Sequence, residues 1–184
     1  AEVLIGAPRL LDLFPDRKAE RIVMGKDSSL ILDEIARRKG KSPIVVLVTG
    51  DPGLYSLAAT VIKRFGRDSC RVLPGISALQ TAFARLGVSW EDAKIISTHA
   101  AKPELSGAEL CQYSKIAILG GDREIARELA TLLVFMAEKD YRIFIGEDLT
   151  LPEERFYEIE GDTNLAKQPL STRAIILIVR KDIL

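Results

Sequence analysis

The 184-residue sequence has one histidine, one tryptophan and two cysteines. The scarcity of histidine and cysteine removes a class of chemistry. His99 alone leaves a His-based metal site without its other ligands, and Cys70 and Cys111 fit neither a metal-ligand spacing nor a disulfide framework. No protein-bound metal is expected, and a reducing cytoplasm is the expected compartment. Neither sign of charge is in excess. The 26 basic residues stand against 26 acidic ones, which argues against a broad field for gripping nucleic acid or an anionic membrane. No apolar run approaches the roughly 20 residues that span a bilayer, and the longest candidate, Ala174 to Val179, is strand-length. The opening Ala1-Glu2-Val3-Leu4-Ile5-Gly6 has no basic segment ahead of an apolar core, so it reads as a buried strand and not as a signal peptide. A core strand entered without an initiator Met carries the expectation that upstream residues are absent from this sequence.

Hydrophobic residues make up 47% of the chain and charged ones 28%, the profile of a soluble folded protein. The length suits one globular unit or two small lobes sharing a cleft. In the first half strand and helix alternate. Val3 to Gly6 and Arg21 to Met24 read as strands. Asp27 caps a helix in which Leu30, Ile31 and Ile35 lie about one turn apart, and Gly40 follows its Lys/Arg-rich last turn. Ile44 to Thr49 is apolar and β-branched, as a central parallel strand covered on both faces should be. Leu57, Val61, Ile62 and Phe65 predict a helix closed by Gly66, and Cys70 to Leu73 predicts a short strand. Ser77 then caps a helix carrying Leu79, Phe83 and Leu86, ended by Gly87.

The second half changes character. Lys94 to Thr98 and Ile116 to Leu119 read as strands on either side of a polar, turn-prone stretch. Asp122 caps a helix holding Ile125, Leu129, Leu132 and Leu133. Tyr141 to Ile145, Arg155 to Ile159 and Arg173 to Val179 follow too closely for crossovers, so they must include antiparallel pairs. The expected class is α/β with two lobes. Residues 1–91 carry a mostly parallel sheet and residues 92–184 a mixed one, joined near Val88 to Asp92. No internal repeat or low-complexity tract is present.

In open α/β sheets, ligands sit at the carboxyl ends of strands, so the strand-to-helix loops are where chemistry is sought. Thr49-Gly50-Asp51-Pro52-Gly53-Leu54-Tyr55-Ser56 follows the most apolar strand of the first half. Its glycines let backbone approach a ligand and Pro52 stiffens the turn. Asp51 either faces a ribose hydroxyl or ammonium group, or merely caps the next helix in an ordinary turn. Leu73-Pro74-Gly75-Ile76-Ser77-Ala78-Leu79 is a second such loop, with Ser77 either a plain helix cap or a donor to a ligand carboxylate. Leu119-Gly120-Gly121-Asp122 is a third. None is a Walker A or a GxGxxG sequence.

Together these loops form a pattern. Val48-Thr49-Gly50-Asp51-Pro52-Gly53-Leu54-Tyr55-Ser56 followed by Val72-Leu73-Pro74-Gly75-Ile76-Ser77 resembles the tetrapyrrole (corrin/porphyrin) methylase family, which also includes diphthine synthase. Three further stretches resemble the branch that methylates carbon 5 of a cobalt-precorrin, found also as the N-terminal part of bifunctional precorrin-6 methyltransferases. They are Ile5-Gly6-Ala7-Pro8-Arg9-Leu10-Leu11, then Ala82 to Gly87 through Trp90-Glu91-Asp92-Ala93, and Gly146-Glu147-Asp148-Leu149-Thr150-Leu151-Pro152-Glu153-Glu154-Arg155. The likeness runs over nearly the whole chain. One departure stands out: the family opens with a strand, a Gly-x-Gly-Pro-Gly loop and a helix ahead of the strand that starts here, and that loop is not in this sequence. The link after Gly121 is also brief for the family.

The resemblance implies a two-lobed fold with S-adenosyl-L-methionine as methyl donor, held between the lobes. It implies cofactor contacts at Gly50, Asp51, Pro52, Gly53, Leu54, Ser77, Ala78, Leu119 and Gly120, and more loosely at Leu149 and Arg173. The acceptor implied is a polyanionic tetrapyrrole, a precorrin or cobalt-precorrin on the route to cobalamin. Arg9, Arg85, Lys102 and Arg123 are the cations that could grip its carboxylates, or else solvated surface charges. Tyr55 is either a substrate contact or a packing residue. His99 matches a His of this branch and either accepts the proton that the methylated carbon sheds or caps and packs. A homodimer is expected, with a carbon-15 methyltransferase/decarboxylase as functional partner. Two rival readings stand beside this one: a methyltransferase of the same fold with an RNA or diphthine-type acceptor, and a noncatalytic nucleotide-binding scaffold.

Overall fold

The computed structural model describes residues 1–15, 18–25, 27–98, 106–120, 132–159 and 170–184. Its contacts divide the chain into two units, Ala1–Ser77 and Ala78–Leu184. In the first, β1 (Val3–Gly6) is buried along its whole length and lies between β2 (Glu20–Val23) and β3 (Ile44–Val46), both parallel to it. A short helix, α1 (Pro8–Leu11), starts with proline at its first turn, where the missing N–H costs nothing. Helix α2 (Ser28–Arg38) begins where Asp27 accepts the Ser29 N–H at 2.8 Å. It buries Ile31 and Ile35 against Val3 and Ile5. Leu30, expected on that face, is instead 66% exposed; one position off the Ile31–Ile35 stripe is enough to turn it outward. Helix α3 (Leu57–Phe65) ends at Gly66, whose φ of 84° and N–H bond to the Ile62 carbonyl close it as expected.

Two expectations fail in this unit. The run from Ile44 to Thr49 forms only a three-residue strand, and it is an edge: β3 pairs with β1 alone among the described residues. Ile44 and Val46 are accordingly half-buried and Val45 is exposed. Cys70 to Leu73 is not a strand. Among the described residues it has no ladder partner, and a β-prone segment without one stays irregular.

The second unit contains a five-stranded mixed sheet of order β4-β5-β8-β6-β7. Its strands are β4 (Lys94–Ser97), β5 (Lys115–Leu119), β6 (Tyr141–Glu147), β7 (Arg155–Ile159) and β8 (Ala174–Arg180). β4 and β5 run parallel, and every other pairing is antiparallel. Helix α4 (Ala78–Leu86), which the sequence reading groups with the first lobe, packs on β8 and so belongs here by its contacts. Phe83 on that helix is fully buried, a burial that stabilises by about 1.5–3 kcal/mol. Residues 132–138 are helical, and Leu132, Leu133 and Met136 fill the core under Ile143, Ile176 and Ile178. A short α5 (Gly107–Leu110) was not foreseen in the polar stretch before β5. The helix expected from Asp122 begins outside the described residues. Buried Lys115 donates to the Ser89 carbonyl at 2.7 Å and pairs with Asp92, tying the turn before β4 to the foot of β5. Among the described residues, no helix is long and apolar enough to cross a membrane.

Candidate functional site

The loop after β3 is built on left-handed backbone geometry that favours glycine. Gly50 has φ of 68°, in the left-handed region. Asp51 Oδ1 accepts the Gly53 N–H at 2.6 Å, closing a tight turn. Asp51 therefore does not cap α3. Ser56 does so by accepting the Ala58 N–H at 3.2 Å. Pro52 and Leu54 are half-buried in this turn, whereas Gly53 and Tyr55 are exposed. Tyr55, at φ of 46°, also occupies the left-handed region, where a bulky residue is strained.

The second loop is pressed against the first. A Cβ placed on Gly75 would stand 2.4 Å from the Gly50 carbonyl oxygen, and one on Gly50 would stand 3.4 Å from Ser77 Cα. The loop after β3 and the loop leading into α4 thus meet backbone to backbone, with Ser77 buried just behind them. A cleft of about 600 Å³ opens beside this junction. It runs between β3 and the Cys70–Pro74 segment, is mostly apolar, and reaches Gly50, Pro52 and Gly75 at its end.

In the second unit the carboxyl ends of β5 and β6 flank the start of β8. Leu119 lies opposite Ile175, Gly120 donates to the Ala174 carbonyl at 3.2 Å, and Glu147 lies opposite Ala174. Leu119, Gly120, Leu149 and Arg173 are therefore gathered at one end of the sheet. Gly120 is a left-handed glycine with φ of 96°. Leu149 folds back over the strand it follows: a Cβ on Gly146 would meet its methyl carbons at 3.0 and 3.1 Å. Arg173 pairs through Nε with Asp148 Oδ1 at 2.5 Å. Ala78 opens α4 and is exposed.

The candidate substrate cations are partly committed to partners within the chain. Arg9 donates to the Thr49 hydroxyl, next to Gly50. Arg85 grips Glu154 with two bonds, Nε to Oε1 at 2.7 Å and Nη2 to Oε2 at 3.2 Å. The Thr150 N–H also donates to Glu154 at 2.6 Å. The Arg85 guanidinium is the first cause holding the Glu154 carboxyl below its ordinary range, with the Thr150 N–H second. His99, Lys102 and Arg123 lie outside the described residues, as does Gly121. Among the described residues no group of three or more His, Cys, Asp or Glu is placed to hold a metal.

One group at this site was missed by sequence reading. Glu147 ends β6 and is 1% exposed. Its Oε1 accepts the Ser171 N–H at 2.7 Å, and its Oε2 accepts the Tyr157 hydroxyl at 3.2 Å and pairs with Arg155 at 2.7 Å. Burial, then the Glu147 charge and hydrogen bond, push the Tyr157 hydroxyl up to about 12. A carboxylate closing the apolar run Ile143 to Gly146, followed by Arg at the start of the next strand, was the available signal.

Residues 2–163 match the Tetrapyrrole (Corrin/Porphyrin) Methylases. A cobalt-precorrin-7 C(5)-methyltransferase of Salmonella typhimurium is 36% identical over 162 residues, spanning 85% of this chain and 77% of that protein. The crystal structure of a precorrin-6Y methylase from Archaeoglobus fulgidus superposes with a TM-score of 0.69 at 27% identity, over 98% of this chain and 85% of that one. A uroporphyrin-III C-methyl transferase from Thermus thermophilus, complexed with S-adenyl homocysteine, has the same fold. Its TM-score is 0.70 at 20% identity, over 99% and 87% of the two chains.

Proposed function

This chain belongs to the tetrapyrrole (corrin/porphyrin) methylases, and from that membership we propose that it transfers a methyl group from S-adenosyl-L-methionine to carbon 5 of a cobalt-precorrin or precorrin in cobalamin biosynthesis. The observation that carries the reading is the likeness, over most of its length, to a cobalt-precorrin-7 C(5)-methyltransferase. The glycine-built loops fit it. Where Gly75 leaves no room for a side chain and Gly50 and Gly120 adopt left-handed backbone, main-chain groups can meet a nucleoside or a carboxylate closely. A protein of the same fold has been solved with S-adenyl homocysteine.

When bound, S-adenosylmethionine supplies a sulfonium methyl that is already electrophilic, so no metal held by the protein is needed to activate it. What the chain contributes is placement in a water-poor setting. In the first unit Gly50, Asp51, Pro52, Gly53, Leu54 and Ser77 are the proposed cofactor contacts. In the second they are Ala78, Leu119, Gly120, Leu149 and Arg173. Arg9 and Tyr55 beside the Gly50 loop, together with Arg85, Lys102 and Arg123, are the proposed contacts to the acceptor. The Glu154 pairing leaves Arg85 only part of its capacity for this. His99 is the proposed acceptor of the proton released at the methylated carbon. A cytoplasmic homodimer, working beside a carbon-15 methylating and decarboxylating activity, completes the proposal.

Calorimetric titration with S-adenosylhomocysteine tests the cofactor half of this reading. Saturable micromolar binding is the expected result. Absence of binding would leave a noncatalytic scaffold as the better account.

A further inference from the structure

The loop that follows β6 holds an unusual backbone. Asp148 at φ of 50° and Thr150 at φ of 69° are both left-handed without being glycine, and Thr150 is β-branched. Such conformations persist only where surrounding interactions over-determine them, and they concentrate at ligand-contacting loops. Three acid–arginine pairs surround this segment: Glu147 with Arg155, Asp148 with Arg173, and Glu154 with Arg85. The outer two differ from the first. Arg173 and Arg85 have about half of their side chains exposed, and their carboxylates are 16% and 22% exposed. Glu147 is buried, and it reaches backbone outside this loop, at the Ser171 N–H.

We propose that Glu147 is the positioning residue of this end of the sheet: its carboxylate fixes the backbone of residues 148–151 and 171–173 in one arrangement, and so sets Leu149 and Arg173 for the cofactor. The last clause rests on the proposed methyltransferase reading; the anchoring itself does not. The geometry makes the case. Glu147 and Arg155 face each other in the β6–β7 register. The ion pair therefore aims the carboxylate across the ladder, and the Tyr157 hydroxyl holds the same oxygen from further along β7. The other oxygen is left for Ser171, whose hydroxyl in turn donates to Asp148 at 3.2 Å and accepts from the Arg173 N–H at 3.2 Å. One carboxylate thus joins the end of β6, two residues of β7 and the turn entering β8. A buried charge of this kind is costly unless all its partners are present. It does not contact the proposed reacting atoms; it acts through Leu149 and Arg173.

The test uses Glu147→Gln, with Glu158→Gln as control. Glu158 also pairs with an arginine across the same ladder, Arg142, and among the described residues it bonds to neither loop. Amide hydrogen exchange is followed at residues 149–151 and 171–173, and S-adenosylhomocysteine affinity is measured alongside kcat and KM. Glu147→Gln is expected to speed exchange in both segments by about tenfold and to weaken S-adenosylhomocysteine binding by about tenfold, with kcat at saturating donor held within about twofold. Glu158→Gln should change neither. Should Glu147→Gln fail to fold, Arg155→Gln and Tyr157→Phe each remove one partner and should move both readouts in the same direction by smaller factors. Unchanged exchange in the two segments, or an equal change in Glu158→Gln, overturns the proposal. If exchange quickens as expected while the unmodified protein binds no S-adenosylhomocysteine, the anchoring stands and the methyltransferase reading is what fails.

Discussion

The carbonyl oxygen of Gly50 occupies the space that a Cβ on Gly75 would need, 2.4 Å away. The loop after β3 and the loop leading into α4 are locked together at that point by backbone contact. Gly75→Ala must therefore push the loops apart. It should cost about 1–3 kcal/mol of stability, as overpacking does, and weaken S-adenosylhomocysteine binding by at least about tenfold. Gly50→Val, which adds a β-branched side chain at positive φ, should abolish binding while much of the fold survives. Gly25→Ala, where a Cβ meets nothing within 4 Å, is the control. Calorimetry and thermal melting on the three variants check this; normal affinity in Gly75→Ala would contradict it.

Glu154 links Arg85 on α4 to the loop after β6, and its folded-state pKa is lowered from the ordinary 4.5. A lowered carboxylate contributes stability that is fully present above the unfolded value and is lost as pH falls through the folded one. Melting temperature should accordingly drop as pH is taken from above 4.5 into the range below it. Glu154→Gln should be less stable near neutrality and show a shallower acid loss. Parallel acid profiles for the two proteins would show that the pair contributes nothing, as many exposed pairs do.

The alkaline side has the opposite sign. Tyr157 is raised from 10.0 to about 12, first by burial and then by Glu147. A tyrosine raised on folding stabilises fully below its unfolded pKa, and that contribution is lost as pH climbs from 10 through about 12. Tyr157→Phe should flatten the fall in stability over that window. Denaturant unfolding at several alkaline pH values reads it directly.

Much of the architecture is legible in periodicity and punctuation. Asp27, Gly66 and Gly87 mark helix ends that the structure reproduces, and the close spacing of the last three strands does entail antiparallel pairing. What failed depended on neighbours. Ile44 to Thr49 has the composition of a central strand, but covering both faces requires a second partner strand, which composition does not supply. Cys70 to Leu73 fails for the same reason. At the candidate site, Gly50 and Gly120 are legible because their left-handed backbone is a local requirement. Arg85 looked like a free cation because its partner lies 69 positions away in sequence. Glu147 was passed over because a carboxylate's burial is a property of the sheet that closes around it, and no pattern in the surrounding residues records the Ser171 N–H.

A polyanionic acceptor and a donor held by backbone should respond differently to salt. Raising ionic strength from low to physiological shortens the Debye length from ~30 to ~8 Å, which weakens side-chain contacts to carboxylates far more than short hydrogen bonds in a partly buried pocket. Corrinoid affinity should fall clearly over that range and S-adenosylhomocysteine affinity should hardly change. Arg9→Gln should reduce the corrinoid salt dependence if Arg9 meets the acceptor, since among the described residues it is held only by the uncharged Thr49 hydroxyl. Equal salt sensitivity for both ligands would remove the distinction between the two contact types.

The central claim is carbon-5 methylation, and one measurement reaches it most directly. The protein is incubated with S-adenosylmethionine carrying a ¹³C methyl group and with cobalt-precorrin-7, and the product is examined by mass and by carbon NMR. The account predicts a gain of one labelled methyl, attached at the carbon-5 bridge, with one equivalent of S-adenosylhomocysteine formed. S-adenosylmethionine binding without any labelled corrinoid product, or a label at another position, would contradict it and direct the search to a different acceptor.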